Sequence, residues 1–280
     1  MRVLTYNIHG WRAPDGASNV DALAEVIAEA RADLVGLNEV FHPLSAPDGS
    51  ALHLLAERLG MSYAFAPALS SDASSNGIPY GNALLSRWQI LAYAVHILSS
   101  TAGAERRCLL EARVAVPTGL TLGVYVIHLD HRSEQVRLAQ WAAASAWLAR
   151  DRARPHLLIG DFNALSTSDY VDPASGAALA ARNLSNGWDP PEFAVTEHVL
   201  KAGYVDACIL AGGRPAPTWP AGDPERRIDY IFLPDAWSGA LRACKRCDPE
   251  AAFRASDHLP VLAELDPGVA LERPAVGRQA

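Results

Sequence analysis

The sequence predicts a single domain of mixed α and β structure. Three observations indicate this: strand-like and helix-like patterns alternate along the 280 residues, half of the residues are hydrophobic, and no shift in composition marks a linker. A chain of this length and apolar fraction has enough material for one large buried core. We therefore expect one domain over residues 1–266 and a disordered tail over 267–280.

Apolar runs of strand length recur along the chain, and turn-forming residues bound most of them. The segments 107–116 and 120–129 are joined through Pro117-Thr118-Gly119, which indicates a hairpin. Pro- and Gly-rich sequence at 166–192 and 211–224 is expected to be irregular. In chain order, the predicted strands are 2–8, 33–40, 62–66, about 90–98, 107–116, 120–129, 156–160, 228–233 and 260–265.

Helical periodicity lies between some of these strands. The apolar spacing over 20–28 follows one helical face, and Asn19 is available as its N-cap. Ser133 is placed to cap a long helix with an apolar face, on which Trp141 and Trp147 are expected in the core. The predicted helices are 20–28, 51–59 and 134–150.

The charge balance limits the class of partner. A net charge of −7 disfavours extensive contact with the backbone of a long nucleic acid, which usually needs a basic surface. Local basic pairs could still hold a small anion, and a bound cation could offset the acidic charge within a nuclease site. These pairs are Arg106-Arg107, Arg226-Arg227 and Lys245-Arg246.

No segment indicates a membrane anchor or an export signal. The opening residues, "MRVLTYNIHG", are polar where a signal peptide would be apolar, and no apolar run approaches the roughly 20 residues that span a bilayer. We expect a cytoplasmic protein without stable membrane insertion, and a monomer.

Cysteine usage does not indicate a disulfide framework. Cys244 and Cys247 form a C-x-x-C, a pattern found in redox sites and in half of a zinc site. There is no second such motif, and Cys108 and Cys208 lie far away in the sequence. We expect four reduced, structural thiols.

Polar side chains stand where the predicted strands end. In "LLIGDFN", Asp161 and Asn163 follow a buried run two residues apart, and alternation along a strand would point both to one place. Each such residue alone is more often turn chemistry or a solvated edge. The whole series, however, predicts a site at which these ends converge. Its other members are Asn7, Glu39, His128, Asp229, Asp257 and His258.

The motifs around these residues resemble those of the endonuclease/exonuclease/phosphatase superfamily of metal-dependent phosphoesterases. They are "TYNIHG", "NEV", "HLDH", "GDFNA", "RRIDYIF" and "SDHLP". The resemblance extends from about residue 2 to 265 and is strongest to uncharacterised bacterial members. It implies a DNase I-like fold of class α+β, a four-layer α/β/β/α sandwich of two mostly antiparallel sheets flanked by helices, with the site at one end.

The resemblance also implies a divalent cation, Mg²⁺ or Mn²⁺. Glu39 is the implied principal ligand, and Asn7 and Asp257 would complete the first or second coordination shell. Oxygen donors of this kind suit a hard cation better than they suit zinc.

Catalytic roles follow from the same resemblance. Asp161 is the implied activator of the attacking water, and Asn163 would hold that water or a phosphate oxygen. His258 would donate to the phosphoryl oxygen, with Asp229 orienting it. His128 matches a second histidine that, when protonated, can assist the leaving group.

Two further residues are expected to bind substrate. Asn82, in "YGNALLSR", matches a position near the phosphate, and Arg107 either contacts phosphate or is a surface charge. His9 and His131 adjoin motifs without an implied role. His9 stands where abasic-site endonucleases carry an aspartate, and those enzymes lack the histidine at 128, so specialised DNA repair is disfavoured.

Three functions remain open from the sequence. The first is a phosphodiesterase that hydrolyses phosphodiester bonds by in-line attack of an activated water, a nuclease on DNA or RNA. The alternative is a phosphoesterase for a small or lipid-derived substrate, to which the loop aromatics Trp11, Trp188, Phe193 and Trp219 could contribute contacts. A non-catalytic protein of the same fold is disfavoured, because every expected acid, amide and imidazole is present.

Overall fold

The structure of the protein is a computed structural model, and it describes residues 1–45, 47–98, 104–169, 173–188, 190–212 and 215–270. These residues form twelve β-strands. In chain order they are β1 (Arg2–Asn7), β2 (Leu34–Phe41), β3 (Ser62–Leu69), β4 (Tyr80–Ser86), β5 (Ile90–Ile97), β6 (Cys108–Ala115), β7 (Thr121–His128), β8 (His156–Asp161), β9 (Tyr204–Asp206), β10 (Asp229–Pro234), β11 (Leu241–Arg246) and β12 (Val261–Leu265).

The strands form two six-stranded sheets. The first has the order β11-β12-β1-β2-β4-β3 and the second the order β5-β6-β7-β8-β10-β9. Only β1 with β2 and β7 with β8 pair in parallel; the other strand pairs of the described residues are antiparallel. The prediction of two mostly antiparallel sheets is therefore confirmed.

Helices cover the outer face of each sheet. They are α1 (Val20–Glu29), α2 (Ala51–Leu59), α3 (Glu134–Leu148), α4 (Pro173–Ser185), α5 (Ala194–Lys201), α6 (Ala207–Leu210) and α7 (Glu250–Ala255). Leu23 of α1, Leu55 of α2 and Ala252 of α7 pack with Tyr6 and Leu37 of the first sheet. On the second sheet, α3 and α5 contribute Trp141 and Val199 to another buried cluster. The four-layer sandwich that the resemblance implied is confirmed.

A third apolar cluster lies between the two sheets. Val3 and Leu84 of the first sheet pack there with Val126 and Ile159 of the second. The approach is close enough that a Cβ at Gly36 would lie 2.6 Å from Ile159 Cδ1, so this position of β2 accepts only glycine without movement of its neighbour. Close packing fixes how the two sheets sit against each other, and with it the end of the sandwich where their polar residues meet.

Several elements differ from the sequence prediction. Helix α4 lies within the segment predicted to be irregular; its alanines favour helix, and proline is well tolerated in a first helical turn. Trp147, predicted in the core, is 36% exposed and stacks on His96 instead. The predicted tail starts folded, since Trp237 Nε1 donates to Val269 O at 2.8 Å, while 271–280 lie outside the described residues.

The four cysteines are free thiols, as predicted. In the part of the chain that the structure describes, no helix combines the length and the apolar character needed to cross a membrane.

Candidate active site

The strand ends named in the sequence meet at one end of the sandwich, around a cavity of about 330 Å³. Three of these residues lie side by side across adjacent strands, because Asp161 of β8 pairs with His128 of β7 on one side and with Asp229 of β10 on the other. The predicted site residues that line the cavity are Glu39, Arg107, His128, Asp161, Asn163, Asp257 and His258. Asn7 and Asp229 contact this set from behind, and only Asn82 lies elsewhere.

Asp161 is the centre of this arrangement. Its Oδ2 atom accepts a hydrogen bond from Asn7 Nδ2 at 3.0 Å, and it lies 3.5 Å from His128 Nε2 and 3.8 Å from His258 Nε2. The residue before it must be glycine, since a Cβ at Gly160 would lie 1.9 Å from the backbone oxygen of Ile127. The close pairing of β7 with β8 therefore sets the position of Asp161.

The surroundings of Asp161 favour its protonated form. Burial and the charge of Asp229 raise its pKa to about 7, although the hydrogen bond from Asn7 and the charge of His258 oppose the rise. A carboxylate with a pKa near the working pH is well suited to accept a proton from water.

Asn163 reaches the cavity by a route that the sequence did not predict. Strand β8 ends at Asp161, and Asn163 has a left-handed backbone with φ of 48°. Its backbone N–H donates to Asp161 Oδ1 at 2.8 Å, and its side-chain Nδ2 donates to Leu129 O at 3.1 Å. A tight turn, and not the alternation of a strand, brings the two residues together, and the second amide hydrogen of Asn163 remains for a ligand.

His258 is held as a cation. Its Nδ1 lies 2.9 Å from Asp229 Oδ2, which also accepts a hydrogen bond from Thr218 Oγ1 at 2.6 Å. Burial alone would lower the pKa of His258, but the carboxylates of Asp229, Asp161 and Asp257 outweigh it and raise that pKa to about 10. The ring therefore presents a charged Nε2–H on the Asp161 side.

His128 has the opposite character. Arg107 Nη1 donates to His128 Nδ1 at 2.9 Å, so the ring proton of a neutral His128 is on Nε2. Burial and the charge of Arg107 both lower the pKa of His128 well below its ordinary value. This environment favours neutral His128 as a hydrogen-bond donor, whereas the role implied by the resemblance needs its protonated form.

Arg107 is not a surface charge. It is 3% exposed and lines the cavity, where its Nη1 also donates to Tyr80 OH at 3.1 Å and forms an ion pair with Glu105 at 2.9 Å. Its Nε atom is buried and has no hydrogen-bond partner among the described residues. A buried guanidinium with a spare donor on a cavity wall is suited to an anionic ligand.

Glu39 is directed into the cavity by an irregular backbone. The pairing of β2 with β4 shifts register between Leu37 and Val40, and Glu39 within this bulge has φ of 60°. Such strain persists where the surrounding structure holds it, and it is concentrated at functional sites. Glu39 Oε1 accepts from Asn7 Nδ2 at 3.0 Å, and Oε2 has no hydrogen-bond partner in the described part of the chain.

Asp257 faces the same cavity with both oxygens supported. Oδ1 lies 3.1 Å from His9 Nδ1, and Oδ2 accepts a hydrogen bond from Trp219 Nε1 at 3.1 Å. Burial would raise the pKa of Asp257, but the hydrogen bond from His9 and the charge of His258 hold it well below its ordinary value. Asp257 is therefore a carboxylate at any working pH.

Two sets of side chains could hold a cation. One consists of the carboxylates of Asp161 and Asp229 and the imidazole of His258, whose ligand atoms lie within 4.8 Å of one another. A protonated His258 has no lone pair to offer, so this set suits proton transfer better. The other consists of Glu39 with Asp257, oriented by Asn7, and its free carboxylate oxygen fits a hard divalent cation.

The comparisons with known proteins agree with this arrangement. Residues 4–258 match the Endonuclease/Exonuclease/phosphatase family, which is most of the chain. The chain belongs to this family. The relative YbhP of Escherichia coli K12, an uncharacterized protein, is 32% identical over 279 residues, with 95% of this chain and 96% of YbhP covered.

Solved structures of the family share the fold. The endonuclease/exonuclease/phosphatase of Beutenbergia cavernae has a TM-score of 0.70 at 25% identity, covering 99% of this chain and 73% of that one. The mannosyl-6-phosphatase Bt3783 of Bacteroides thetaiotaomicron has a TM-score of 0.69 at 20% identity, covering 95% and 99%. The 3′ phosphatase NExo from Neisseria, bound to a product DNA hairpin, has a TM-score of 0.65 at 18% identity, covering 95% and 99%. Because the last two are at most 20% identical to this chain, they show only that the fold is shared.

Asn82 is the one predicted site residue that the structure places away from the cavity. It is buried between the sheets, where its Nδ2 donates to Cys108 O at 2.9 Å and its Oδ1 accepts from Asn38 Nδ2 at 2.9 Å. Asn38 in turn accepts the backbone N–H of Asp161 through Oδ1 at 2.9 Å. The sequence pattern placed Asn82 near the family's phosphate, but its amide joins the two sheets instead.

An Asn82→Ala variant is expected to lose stability and keep its substrate affinity. Removing the amide leaves buried polar groups unpaired, which costs about 1–3 kcal/mol. Urea unfolding measures this loss, and Asn76→Ala in an exposed loop is the matched control. A tenfold rise in KM at unchanged stability would restore the predicted substrate contact.

Other residues of the site were missed in the sequence. Asn38 and Ser256 adjoin the motif residues Glu39 and Asp257, and Ser256 Oγ donates to Asn7 O at 2.7 Å and accepts from His258 N at 3.1 Å. Their position next to motif residues could have identified both as site residues from the sequence. Thr218 lies in a Pro-rich loop, and nothing in the sequence linked it to Asp229.

The loop aromatics divide into two groups. Trp188 and Trp219 line the cavity. Trp11 Nε1 instead donates to Phe41 O at 2.7 Å, and Phe193 packs with Leu165 and its neighbours.

Proposed function

We propose that this family member is a divalent-cation-dependent phosphoesterase in which Asp161 activates the attacking water. The family match supports phosphoester hydrolysis as the reaction class. The observation that carries the proposal is the position of Asp161 Oδ2, with Asn7 Nδ2 at 3.0 Å and the imidazoles of His128 and His258 within 3.8 Å. A proton acceptor thus adjoins two donors directed at the same place.

Hydrolysis of a phosphate ester needs charge neutralisation, a positioned water and stabilisation of the leaving oxygen. In the proposal, Asp161 accepts a proton from the water, and Asn163 helps to hold that water. The charged Nε2–H of His258 and the neutral Nε2–H of His128 donate to phosphoryl oxygens. The guanidinium of Arg107 contacts the anion from the β6 side.

The carboxylates at the centre of the site support a cation. Glu39, Asp161 and Asp257 line the cavity, and Asp229 lies behind them against His258. A phosphate anion close to these carboxylates would be repelled by them. A divalent cation held by Glu39 and Asp257, with Asn7 orienting Glu39, would neutralise the phosphate and lower the pKa of a bound water.

For the substrate, we infer a small phosphorylated molecule in preference to long nucleic acid. The cavity is compact at about 330 Å³, and its wall has acidic side chains, Glu105 and Glu192, as well as four arginines, Arg107, Arg132, Arg137 and Arg226. These arginines can serve one anionic group, whereas a net charge of −7 over the whole chain disfavours an extended polyanion. Nuclease action on DNA or RNA, which the sequence put first, remains the alternative.

A substrate panel under one metal condition tests the proposal. We expect turnover of p-nitrophenyl phosphate or its bis-ester with Mg²⁺ or Mn²⁺, abolished by chelation and by His258→Ala, with little cleavage of plasmid or single-stranded DNA. Sphingomyelin completes the panel. Equal activity of the parent and His258→Ala would contradict the proposed site. Efficient, His258-dependent cleavage of DNA would keep the mechanism and return the substrate to nucleic acid.

A further inference from the structure

A hairpin loop next to the site carries Trp219, whose side chain contacts two different parts of the site. Residues 219 and 226 pair through their backbones, with Arg226 N donating to Trp219 O at 2.9 Å and Trp219 N donating to Arg226 O at 2.9 Å. The loop is fixed to the segment before β12, since Ala221 N donates to Asp257 O at 2.7 Å and Leu259 N donates to Thr218 O at 2.8 Å. Trp219 is therefore held at the edge of the site.

On one side, the Trp219 ring is part of an aromatic wall of the cavity. The Arg226 guanidinium carbon lies 5.3 Å from the Trp219 ring centroid and 5.0 Å from that of Trp188. The two indole centroids are 6.1 Å apart with their planes at 51°. We call Trp188, Trp219 and Arg226 the tryptophan–arginine wall; Pro190 and Pro191 continue it along the cavity.

On the other side, the same indole contacts the acidic end of the site. Trp219 Nε1 donates to Asp257 Oδ2 at 3.1 Å, while Asp257 Oδ1 lies 3.1 Å from His9 Nδ1. A hydrogen bond to a charged acceptor is stronger than a neutral one and fixes the direction of the carboxylate. Groups that orient a metal ligand in this way commonly change metal affinity when they are removed.

We propose that Trp219 is a positioning residue that joins two parts of the site. Its N–H fixes Asp257 for the divalent cation, and its ring belongs to the wall against which the organic group of the substrate packs. The wall consists of two tilted indole rings and one guanidinium, which suits the phosphate ester of a compact, ring-bearing alcohol. The inference rests on the proposed function and names its substrate class.

A consequence of this linkage is reciprocal binding. A ring packed on the wall would hold Trp219, and through it Asp257, in the orientation that the cation needs. Cation and ring-bearing ligand should therefore each strengthen the binding of the other by the same factor. A ligand with the phosphate chemistry but no ring should lack this extra effect.

Direct Mn²⁺ titration without turnover, followed by electron paramagnetic resonance, tests the metal side. Trp219→Phe keeps the ring and removes the N–H, and we expect Mn²⁺ to bind about tenfold more weakly. Trp147→Phe, in α3 where the ring stacks on His96 and does not line the cavity, should bind Mn²⁺ like the parent. In an Asp257→Asn background, Trp219→Phe should cause no further loss, because the indole acts through that carboxylate.

Two phosphonates that resist hydrolysis test the substrate side. Phenylphosphonate should raise the Mn²⁺ affinity of the parent about fivefold more than methylphosphonate does. Trp188→Ala should bind Mn²⁺ alone normally and lose the difference between the two phosphonates. An unchanged difference in this variant would overturn the role of the wall.

Failure of the inference is distinct from failure of the proposed function. If the parent binds Mn²⁺ and Trp219→Phe binds it equally well, the positioning role is wrong and the metal-dependent reaction stands. If the parent binds no Mn²⁺, both are wrong. Far-ultraviolet circular dichroism of Trp219→Phe shows whether the variant is folded, and the phosphonate comparison with Trp188→Ala tests the wall independently if it is not.

Discussion

Replacing Asp161 by asparagine is expected to lower kcat by about 10³–10⁴, at the upper end of what proton transfer contributes. The change keeps the shape of the side chain, and its remaining oxygen can still accept from Asn163 N or Asn7 Nδ2. The variant lacks the carboxylate, which can accept a proton near neutral pH because burial raises its pKa to about 7. A loss of 10³ corresponds to about 4 kcal/mol of transition-state stabilisation.

Steady-state kinetics at saturating Mn²⁺, together with Mn²⁺ titration, separates this effect from a loss of metal. We expect Asp161→Asn to retain Mn²⁺ affinity within a few-fold, because Glu39 and Asp257 hold the cation in the proposal. Asp266→Asn, an exposed aspartate paired with Arg242, is the matched control and should leave kcat unchanged. A variant at 161 with more than a tenth of the parental kcat would exclude Asp161 as the base.

Local pattern was sufficient for several regular elements of the fold, although it did not predict β4, β11, α4, α5 or α7. Helix α2 was predicted at the residues where it occurs, Ala51–Leu59, because its apolar spacing is a local feature. The hairpin of β6 and β7 was found from one turn signal between two apolar runs. Short elements such as β9 and α6 were missed, because three or four residues carry no periodicity and their stability comes from tertiary packing.

From the sequence, site residues could be predicted only where polar side chains stand at strand ends. The family motifs named Glu39, Asp161 and His258, and the structure brings them to one cavity. The protonation state of each of these groups was not predictable, since it depends on neighbours that are distant in sequence. His128 and His258 are both buried histidines near Asp161, yet Arg107 makes one neutral and Asp229 keeps the other charged.

Asn82 shows that the role of a residue cannot always be inferred from its position in a family motif. Its position in "YGNALLSR" was recognisable, but whether its amide faces a ligand or the other sheet depends on the separation of the two sheets there. Trp219 shows the converse: the sequence offered it only as one of four loop aromatics, and the folding of its hairpin onto Asp257 sets its place in the site.

Replacing Asp229 by asparagine is expected to move the whole pH–rate profile toward acid. In the parent, kcat/KM should require deprotonated Asp161, with a pKa of about 7, and protonated His258, with a pKa of about 10. The charge of Asp229 contributes to raising both values. Without it, burial is opposed mainly by the charges of Asp161 and Asp257, so the pKa of His258 should fall. The alkaline limb should then move toward acid by about 1–3 pH units, and the acid limb should move in the same direction.

The size of the effect depends strongly on pH. Above the lowered pKa of His258, Asp229→Asn should lose about tenfold in activity for each further pH unit, while the parent holds its charged ring up to a pKa of about 10. At lower pH, where the ring is charged in both proteins, the variant should regain most of the difference. His258→Gln, which cannot carry the proton, should be inactive at every pH.

The direction of this shift distinguishes positioning from structural damage. A misfolded or loosened site would lower the rate by a similar factor at all pH values, whereas loss of the Asp229 charge lowers it mainly on the alkaline side. Profiles with Mg²⁺, which stays in solution at higher pH than Mn²⁺, are the measurement. Asp235→Asn, at the exposed residue that follows β10, is the control. An Asp229→Asn profile parallel to that of the parent would show that His258 does not act as the charged donor.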